Sequence, residues 1–265
     1  MFFTLFHFSV MTTLAQASAL QQHYDQYTAE DRHVWQLLFE RQLQALPGRA
    51  APEFMEGLAR IGFTADRIPD FRQTNQVLRR LTGWELVAVP GIVDDAVFFG
   101  LLAARQFPAT TWLRKLAELD YLEEPDMFHD VFGHVPLLTN PGFARFLHQL
   151  GHIGLRHASD AGAVELLARL YWFTVEFGLL HDAGSGEARI YGAGILSSAG
   201  ETRYSLGPEP RRQPFEVETV LATAFRKDVF QTDYFVLDSL DALADTLPAV
   251  QRQLRAATVG AVAAE

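Results

Sequence analysis

Residues 164–180, VELLARLYWFTVEFGLL, constrain the fold more than any other segment, because a helix of this sequence is apolar almost all the way round. Such a helix is buried. It belongs to a predicted helix over 162–180, and the periodicity of apolar residues predicts further helices over much of the chain. Those helices are predicted at 33–46, 52–61, 69–81, 94–106, 141–156, 216–226 and 239–256.

The β-rich runs between these helices are short. Four are predicted, at Glu85–Val89, Thr110–Leu113, Arg189–Tyr191 and Tyr234–Leu237. They are too few and too scattered for a doubly wound sheet. The sequence therefore predicts one mainly α domain with a few short β-strands over residues 21–256. A frayed leader is expected at 1–20 and a frayed Ala-rich tail at 257–265.

Composition narrows the possible functions. The 265 residues carry a formal net charge of −10, which argues against nucleic-acid binding and against attraction to anionic membranes. There is no cysteine, so thiolate metal sites and cysteine nucleophiles are excluded. The apolar N-terminus is followed by AQASA, but no basic residue precedes Arg32, so we expect no signal peptide and a cytoplasmic location.

The strongest local signal is residues 124–136, EPDMFHDVFGHVP. His129 and His134 are five residues apart, which on an α-helix turns one about 140° away from the other. Gly133 is expected to interrupt the helix that starts near Pro125, so that His134 projects from the following turn. In that arrangement the two imidazoles can converge on one point.

Glu176 lies within the buried helix and has no basic residue three or four positions away. Glutamate is almost never fully buried unless it is paired or binds a metal, so Glu176 is the natural third ligand for His129 and His134. Two histidines and one carboxylate with an open face indicate non-haem Fe(II) oxygen chemistry. A second histidine pair, His148 and His152, lies on an amphipathic helix and is interpreted as solvated.

Three segments, EPDMFHDVFGHVPLL, ARLYWFTVEFGL and IYGAGILSS, occur in this order between Tyr27 and Leu240. In the residues of these segments and in their spacing, the chain resembles the pterin-dependent aromatic amino acid hydroxylases, and in particular the bacterial members of that family that hydroxylate phenylalanine. Animal members add a regulatory domain and a tetramerising helix, which this chain lacks. We therefore expect a monomer.

The resemblance implies a helical catalytic domain with a cleft, in which Fe(II) and a tetrahydropterin (tetrahydrobiopterin or a bacterial analogue) use O₂ to convert L-phenylalanine to L-tyrosine. It implies that His129, His134 and Glu176 hold the iron. The matching residues for the amino-acid substrate are Arg114, Asp126, Pro125, Trp172, Phe177 and Ser197. Those for the pterin are Gly91, Ile92, Val93, Phe98 and Asp130.

Two positions depart from the family pattern. Leu122 stands where animal members have a hydroxyl residue near the substrate, and Lys227 is unexpected in the loop around Phe225–Val229, which bears on substrate choice. Hydroxylation of tryptophan or tyrosine therefore stays an alternative. So do a zinc hydrolase with the same three ligands and a pterin-binding module without a metal.

Overall fold

The computed structural model describes residues 20–120, 122 and 124–262, with side chains as far as residue 256. Most of the predicted leader and residues 263–265 lie outside the described residues. The prediction of a mainly α domain is confirmed. The α-helices are α1 (Ala29–Ala45), α2 (Pro52–Ile61), α3 (Phe71–Leu81), α4 (Asp95–Ala103), α5 (Val135–Leu138), α6 (Pro141–His157), α7 (Ala161–Tyr171), α8 (Ala193–Leu196), α9 (Ala199–Tyr204), α10 (Val217–Ala222) and α11 (Leu240–Val262).

Most predicted helices lie close to their expected positions, and the largest correction concerns 162–180. There the α-helix ends at Tyr171, a π-helix continues over Trp172–Glu176, and Leu179 and Leu180 belong to a strand. The last helix continues to Val262, beyond the expected end at 256. Across the described residues, no helix combines the length and the hydropathy that a bilayer span requires.

Six short strands form two sheets. In the first, β1 (Glu85–Ala88) pairs in parallel with β2 (Gln106–Ala109). The second has the order β4-β3-β6-β5, in which β3–β4 is the antiparallel pair. Its strands are β3 (Leu179–His181), β4 (Ala188–Ile190), β5 (Arg211–Pro214) and β6 (Asp233–Leu237).

The prediction of a strand at Thr110–Leu113 is wrong. The strand in this part of the chain is β2, which lies just before that range and ends at Ala109. Directly after β2, the Thr110 backbone N–H donates to the Asp130 carboxylate at 2.7 Å. This bond joins two segments 20 residues apart, and no local pattern predicts it.

The core is built around a second π-helix, Phe128–His134, which lies between α2, α8 and β2. Phe128 and Phe132 stack with their ring centroids 4.7 Å apart. Trp35 of α1 packs edge-on against Phe128 at 5.4 Å. This aromatic packing fixes one face of the π-helix and leaves its other face to carry polar side chains.

Candidate active site

His129 and His134 share one face because the helix that carries them is a π-helix, not because it is interrupted. In a π-helix each turn is closed by a bond between residues five apart, so such residues lie one above the other. Gly133 therefore has another role than the predicted one. A Cβ on Gly133 would lie 3.0 Å from the carbonyl oxygen of Ala193, so glycine lets α8 approach closely.

The third candidate ligand also lies on π-helical backbone. Glu176 is the last residue of the π-helix Trp172–Glu176, where the Phe177 N–H donates to Trp172 O at 2.8 Å, five residues back. Tyr171 and Glu176 are again five apart. Two local departures from α-geometry thus turn all three side chains towards one point.

The three ligand atoms lie within 4.8 Å of one another. His134 Nε2 is 3.3 Å from His129 Nε2 and 3.2 Å from Glu176 Oε1, and His129 Nε2 is 3.5 Å from Glu176 Oε2. Among the described residues this is the single group of three such side chains close enough to hold a metal ion. The predicted convergence of the imidazoles is therefore confirmed in the geometry.

The electrostatics of this cluster favour an ionised carboxylate. Burial alone raises the pKa of a carboxyl group, but His134 and His129 outweigh it and lower the pKa of Glu176 to about 2. Burial and the Glu176 charge together raise the pKa of Tyr171 well above its ordinary value. Tyr171 is therefore a neutral hydrogen-bond donor facing a negative carboxylate, and the sequence analysis missed it.

Ser197 lies behind His129 and not on the wall of the cavity. Its hydroxyl donates to the carbonyl oxygen of Ala193 at 2.8 Å, so a lone pair of Ser197 Oγ remains for His129 Nδ1, 2.9 Å away. His129 must then carry its proton on Nδ1 and present a lone pair at Nε2. That is the tautomer a metal ligand at Nε2 requires.

A cavity of about 280 Å³ opens beside the three candidate ligands. The loop after β1 and helix α4 form one side of it, and the π-helix Trp172–Glu176 forms another. The predicted site residues that line it are His129, His134, Glu176, Pro125, Trp172, Gly91, Ile92, Val93, Phe98 and Asp130.

The predicted residues Arg114, Asp126 and Phe177 are not among the residues that line this cavity. The Asp126 carboxylate accepts from Arg114 Nε and Nη2, both at 2.9 Å, and from the His129 backbone N–H at 3.1 Å. Burial raises the pKa of Asp126, but the Arg114 guanidinium outweighs this and lowers it. Phe177 packs against Trp172 with centroids 4.6 Å apart.

Asp130 carries a carboxylate into the cavity wall. Its Oδ2 accepts from the Thr110 backbone N–H at 2.7 Å and from the Thr110 hydroxyl at 2.8 Å. Burial raises its pKa in spite of these two donors. The carboxylate is therefore held in one orientation at the end of β2.

Gln231 and Phe225 also belong to the site, although the sequence predicts no role there for either of them. Phe225 lines the cavity and stacks on Trp172, with centroids 4.4 Å apart. Gln231 is buried and accepts from Trp172 Nε1 at 2.9 Å. Lys227, noted as a departure, lines the cavity too. The apolar character of Phe225 gives no local signal of this role.

His148 and His152 face each other on α6, with their Nε2 atoms 3.2 Å apart. His152 is exposed and His148 half-buried, and within the described part of the chain no third ligand completes a metal-binding group with them. Burial lowers the pKa of His148, and the positive charge of Arg105 lowers it further. The interpretation of this pair as solvated therefore holds for His152 and only in part for His148.

A buried cluster of two histidines and a glutamate, set in π-helical turns of a helical domain beside an apolar cavity, defines a class of metal-dependent oxygenase. The family profile described as biopterin-dependent aromatic amino acid hydroxylase matches residues 14–258. The chain belongs to this family, and the predicted resemblance is confirmed.

Two bacterial relatives share about half of the aligned residues with this chain. The chain is 53% identical over 227 residues to the phenylalanine-4-hydroxylase of Chromobacterium violaceum, which covers 85% of this chain and 75% of the relative. It is 46% identical over 218 residues to the phenylalanine-4-hydroxylase of Pseudomonas aeruginosa, covering 82% and 81%.

Solved structures agree with the fold. The chain is similar to Chromobacterium violaceum phenylalanine hydroxylase with bound iron(III) and oxidised 7,8-dihydrobiopterin, with a TM-score of 0.84, 47% identity and 92% of each chain covered. The structure of that enzyme with iron and phenylalanine bound gives a TM-score of 0.81 and 48% identity, covering 88% of this chain and 86% of the other.

Proposed function

We propose that this chain is an Fe(II)- and tetrahydropterin-dependent monooxygenase that converts L-phenylalanine to L-tyrosine with O₂. The observation that carries the proposal is the convergence of His129 Nε2, His134 Nε2 and the Glu176 carboxylate on the wall of the cavity. Residues 21–256 form the catalytic domain in this proposal. Family membership and the phenylalanine hydroxylases among the relatives support it.

The residues present fit a divalent iron ion. His129 offers a lone pair fixed by its bond to Ser197, and Glu176 is a buried carboxylate with no Lys or Arg ion pair among the described residues. Nitrogen and oxygen ligands of this kind suit Fe(II), and the negative carboxylate partly neutralises the ion. When bound, iron and the reduced pterin supply the electrons for splitting O₂.

The protein's own part is to bind, orient and exclude water. Phe98 presents a half-buried ring to the cavity and is held edge-on by Tyr171 at 5.2 Å, so it offers a stacking surface for the pterin. Gly91, Ile92 and Val93 line the cavity on the same side, and Asp130 adds a fixed carboxylate. The apolar wall excludes water from the reacting atoms.

In this proposal Arg114 binds the carboxylate of the amino-acid substrate. Asp126 takes one edge of its guanidinium, through Nε and Nη2, while Nη1 makes one bond in the described residues, a long contact of 3.4 Å with Leu119 O. Nη1 is therefore available to a substrate carboxylate, while Asp126 fixes the orientation of the plane. With one end held, the substrate ring can lie between Pro125 and Trp172 next to the candidate iron site.

The choice among aromatic amino acids is the finer part of the proposal. Lys227 lines the cavity, and it is flanked by Arg226 and Asp228, which pair with each other at 2.6 Å. The wall near Trp172 and Phe225 is apolar, which favours phenylalanine over tyrosine because the tyrosine hydroxyl would need a hydrogen-bond partner there. Measuring kcat/KM for phenylalanine, tyrosine and tryptophan decides this point.

The central experiment is anaerobic reconstitution with Fe(II), followed by a tyrosine assay in air with and without reduced pterin. We expect tyrosine to form only when iron, pterin, phenylalanine and O₂ are all present. Zinc in place of iron serves as the matched control and should support no product. Iron-loaded protein that forms no tyrosine with any reduced pterin contradicts the proposal.

We further propose that the protein is a monomer and that it is located in the cytoplasm. It is expected to bind neither nucleic acid nor membranes. The formal net charge of −10 supports the part of this proposal that concerns nucleic acid and anionic membranes. Light scattering at micromolar concentration tests the assembly, and a stable tetramer contradicts it. Cell fractionation with an antibody tests the location.

A further inference from the structure

The loop over residues 223–232 joins α10 to β6 and brings Phe225 and Lys227 to the cavity. We propose that Gln231 is a positioning residue that holds this loop and the Trp172 indole in one arrangement, and that it thereby sets which amino acid the cavity accepts. The inference rests on the proposed function.

The Gln231 side chain uses both ends of its amide. Nε2 donates to the carbonyl oxygen of Arg226 at 2.8 Å and to that of Val229 at 3.0 Å. These two carbonyls lie on either side of Lys227 and Asp228, so a single side chain closes the tip of the loop. No helix or strand ladder holds this segment, so these two bonds restrain its backbone on both sides of Lys227 and Asp228.

The other end of the amide reaches the cavity wall. Gln231 Oε1 accepts from Trp172 Nε1 at 2.9 Å. The Trp172 ring stacks on Phe225 with an interplanar angle of 15°. The indole is thereby fixed both by a hydrogen bond at its edge and by a ring on its face, and both partners belong to the same loop.

The position of Gln231 is itself fixed by burial and by a hydrogen bond of its backbone. It is 4% exposed, and its backbone N–H donates to the Glu201 carboxylate of α9. Glu201 also accepts from the Tyr234 hydroxyl. Glu201 therefore anchors the start of β6 and the end of the loop, so that Gln231 acts from a rigid base.

Two substitutions of Gln231 test the donor end and the acceptor end of its side-chain amide separately. Gln231→Glu keeps an acceptor for the indole but removes both donors to the loop carbonyls. Gln231→Met has nearly the same length and removes all three bonds. Each lost hydrogen bond corresponds to about a threefold to tenfold change in binding. Because Gln231→Glu loses two bonds and Gln231→Met three, we expect KM for L-phenylalanine to rise by at least that factor in Gln231→Glu and further in Gln231→Met, with kcat changed much less.

A matched control is available in Gln42, another buried glutamine that donates to a backbone carbonyl, that of Leu196, at 2.5 Å. Gln42 does not line the cavity. Gln42→Met should lower the melting temperature as Gln231→Met does, but it should leave unchanged the ratio of kcat/KM for phenylalanine to that for tryptophan. In the Gln231 variants this ratio should fall.

Limited trypsin digestion gives a measurement that is independent of activity. Arg226 and Lys227 are exposed, and freeing the loop should accelerate cleavage after them in both Gln231 variants, though not in Gln42→Met. If wild-type protein makes no tyrosine, the proposed function fails while this measurement still stands. The inference is overturned if folded Gln231→Glu protein shows neither faster cleavage nor a changed substrate ratio, or if Gln42→Met shifts both equally.

Discussion

His129 Nδ1 lies 2.9 Å from the Ser197 hydroxyl, and that hydroxyl gives its own proton to the Ala193 carbonyl. The pair fixes which nitrogen of His129 faces Glu176. His134 has no such partner at Nδ1 among the described residues, and its ring packs on Phe107 with centroids 4.8 Å apart. One histidine is thus oriented by a hydrogen bond and the other by packing.

The first prediction concerns Ser197→Ala. Loss of the acceptor frees the tautomer and ring angle of His129, so the affinity for Fe(II) should fall about 10- to 100-fold. The KM for the amino acid, measured at saturating iron, should stay near that of the wild type. Metal titration followed by an iron-dependent activity assay checks this. A raised KM with unchanged iron affinity would instead place Ser197 in the amino-acid pocket.

The second prediction concerns Glu176→Gln, which keeps the shape of the side chain but removes its charge. The fold should survive, while iron affinity falls by about a hundredfold or more because a three-ligand site has no spare ligand. His129→Ala and His134→Ala should lose iron and tyrosine formation together. His148→Ala is the control and should retain both. A Glu176→Gln enzyme with full iron and full activity rules out this site.

The third prediction concerns the buried pair of Arg114 and Asp126. Arg114→Ala leaves the Asp126 carboxylate without its partner and should destabilise the fold by about 3–5 kcal/mol in urea denaturation. Arg114→Lys keeps the charge but not the planar fork, so KM for phenylalanine should rise sharply while iron content stays near wild type. Loss of iron from Arg114→Lys would show that this residue supports the metal site.

The fourth prediction concerns Phe98→Ala. The ring that lines the cavity is lost, and an aromatic stacking contact is worth about 1 kcal/mol, so KM for the pterin should rise about fivefold. KM for phenylalanine should change less. Steady-state kinetics with each substrate varied in turn checks this. The reverse pattern would show that the two pockets are exchanged.

The fifth prediction concerns Glu201. Burial raises its pKa from about 4.5 to about 7, although Tyr234 and Gln231 donate to it. The folded protein therefore holds the proton more tightly than the unfolded chain. This stabilisation is present below pH 4.5 and is lost as pH rises through 7. The separation of the two pKa values limits the effect to about 3 kcal/mol.

Glu201→Gln should remove that pH dependence. Between pH 5 and pH 8 the unfolding free energy of the wild type should fall relative to that of the variant, as measured by urea denaturation at each pH. Glu56→Gln, which loses an exposed pair with Arg60, is the control and should follow the wild type. Parallel curves for wild type and Glu201→Gln would show that Glu201 does not titrate in this range.

The sequence alone determined the helical class and the identity of the three candidate ligands, whereas the helix that it predicted over 162–180 ends at Tyr171 and is buried along one face only. A lone glutamate in an apolar helix is costly without a partner, so Glu176 stands out from its neighbours alone. The capping box at Thr28 and Asp31, at the start of α1, is also local, since its donors and acceptors lie within four residues. Signals of this kind are local.

Only the tertiary structure decided how these residues meet. No periodicity distinguishes a π-helix from an α-helix over seven residues, so the shared face of His129 and His134 required the packed core. Likewise, Ser197 reaches His129 across 68 residues, and Gln231 reaches Trp172 across 59. These side chains meet because the helices and strands that carry them pack together. That packing depends on the burial of apolar surface over the whole chain, which outweighs any local preference.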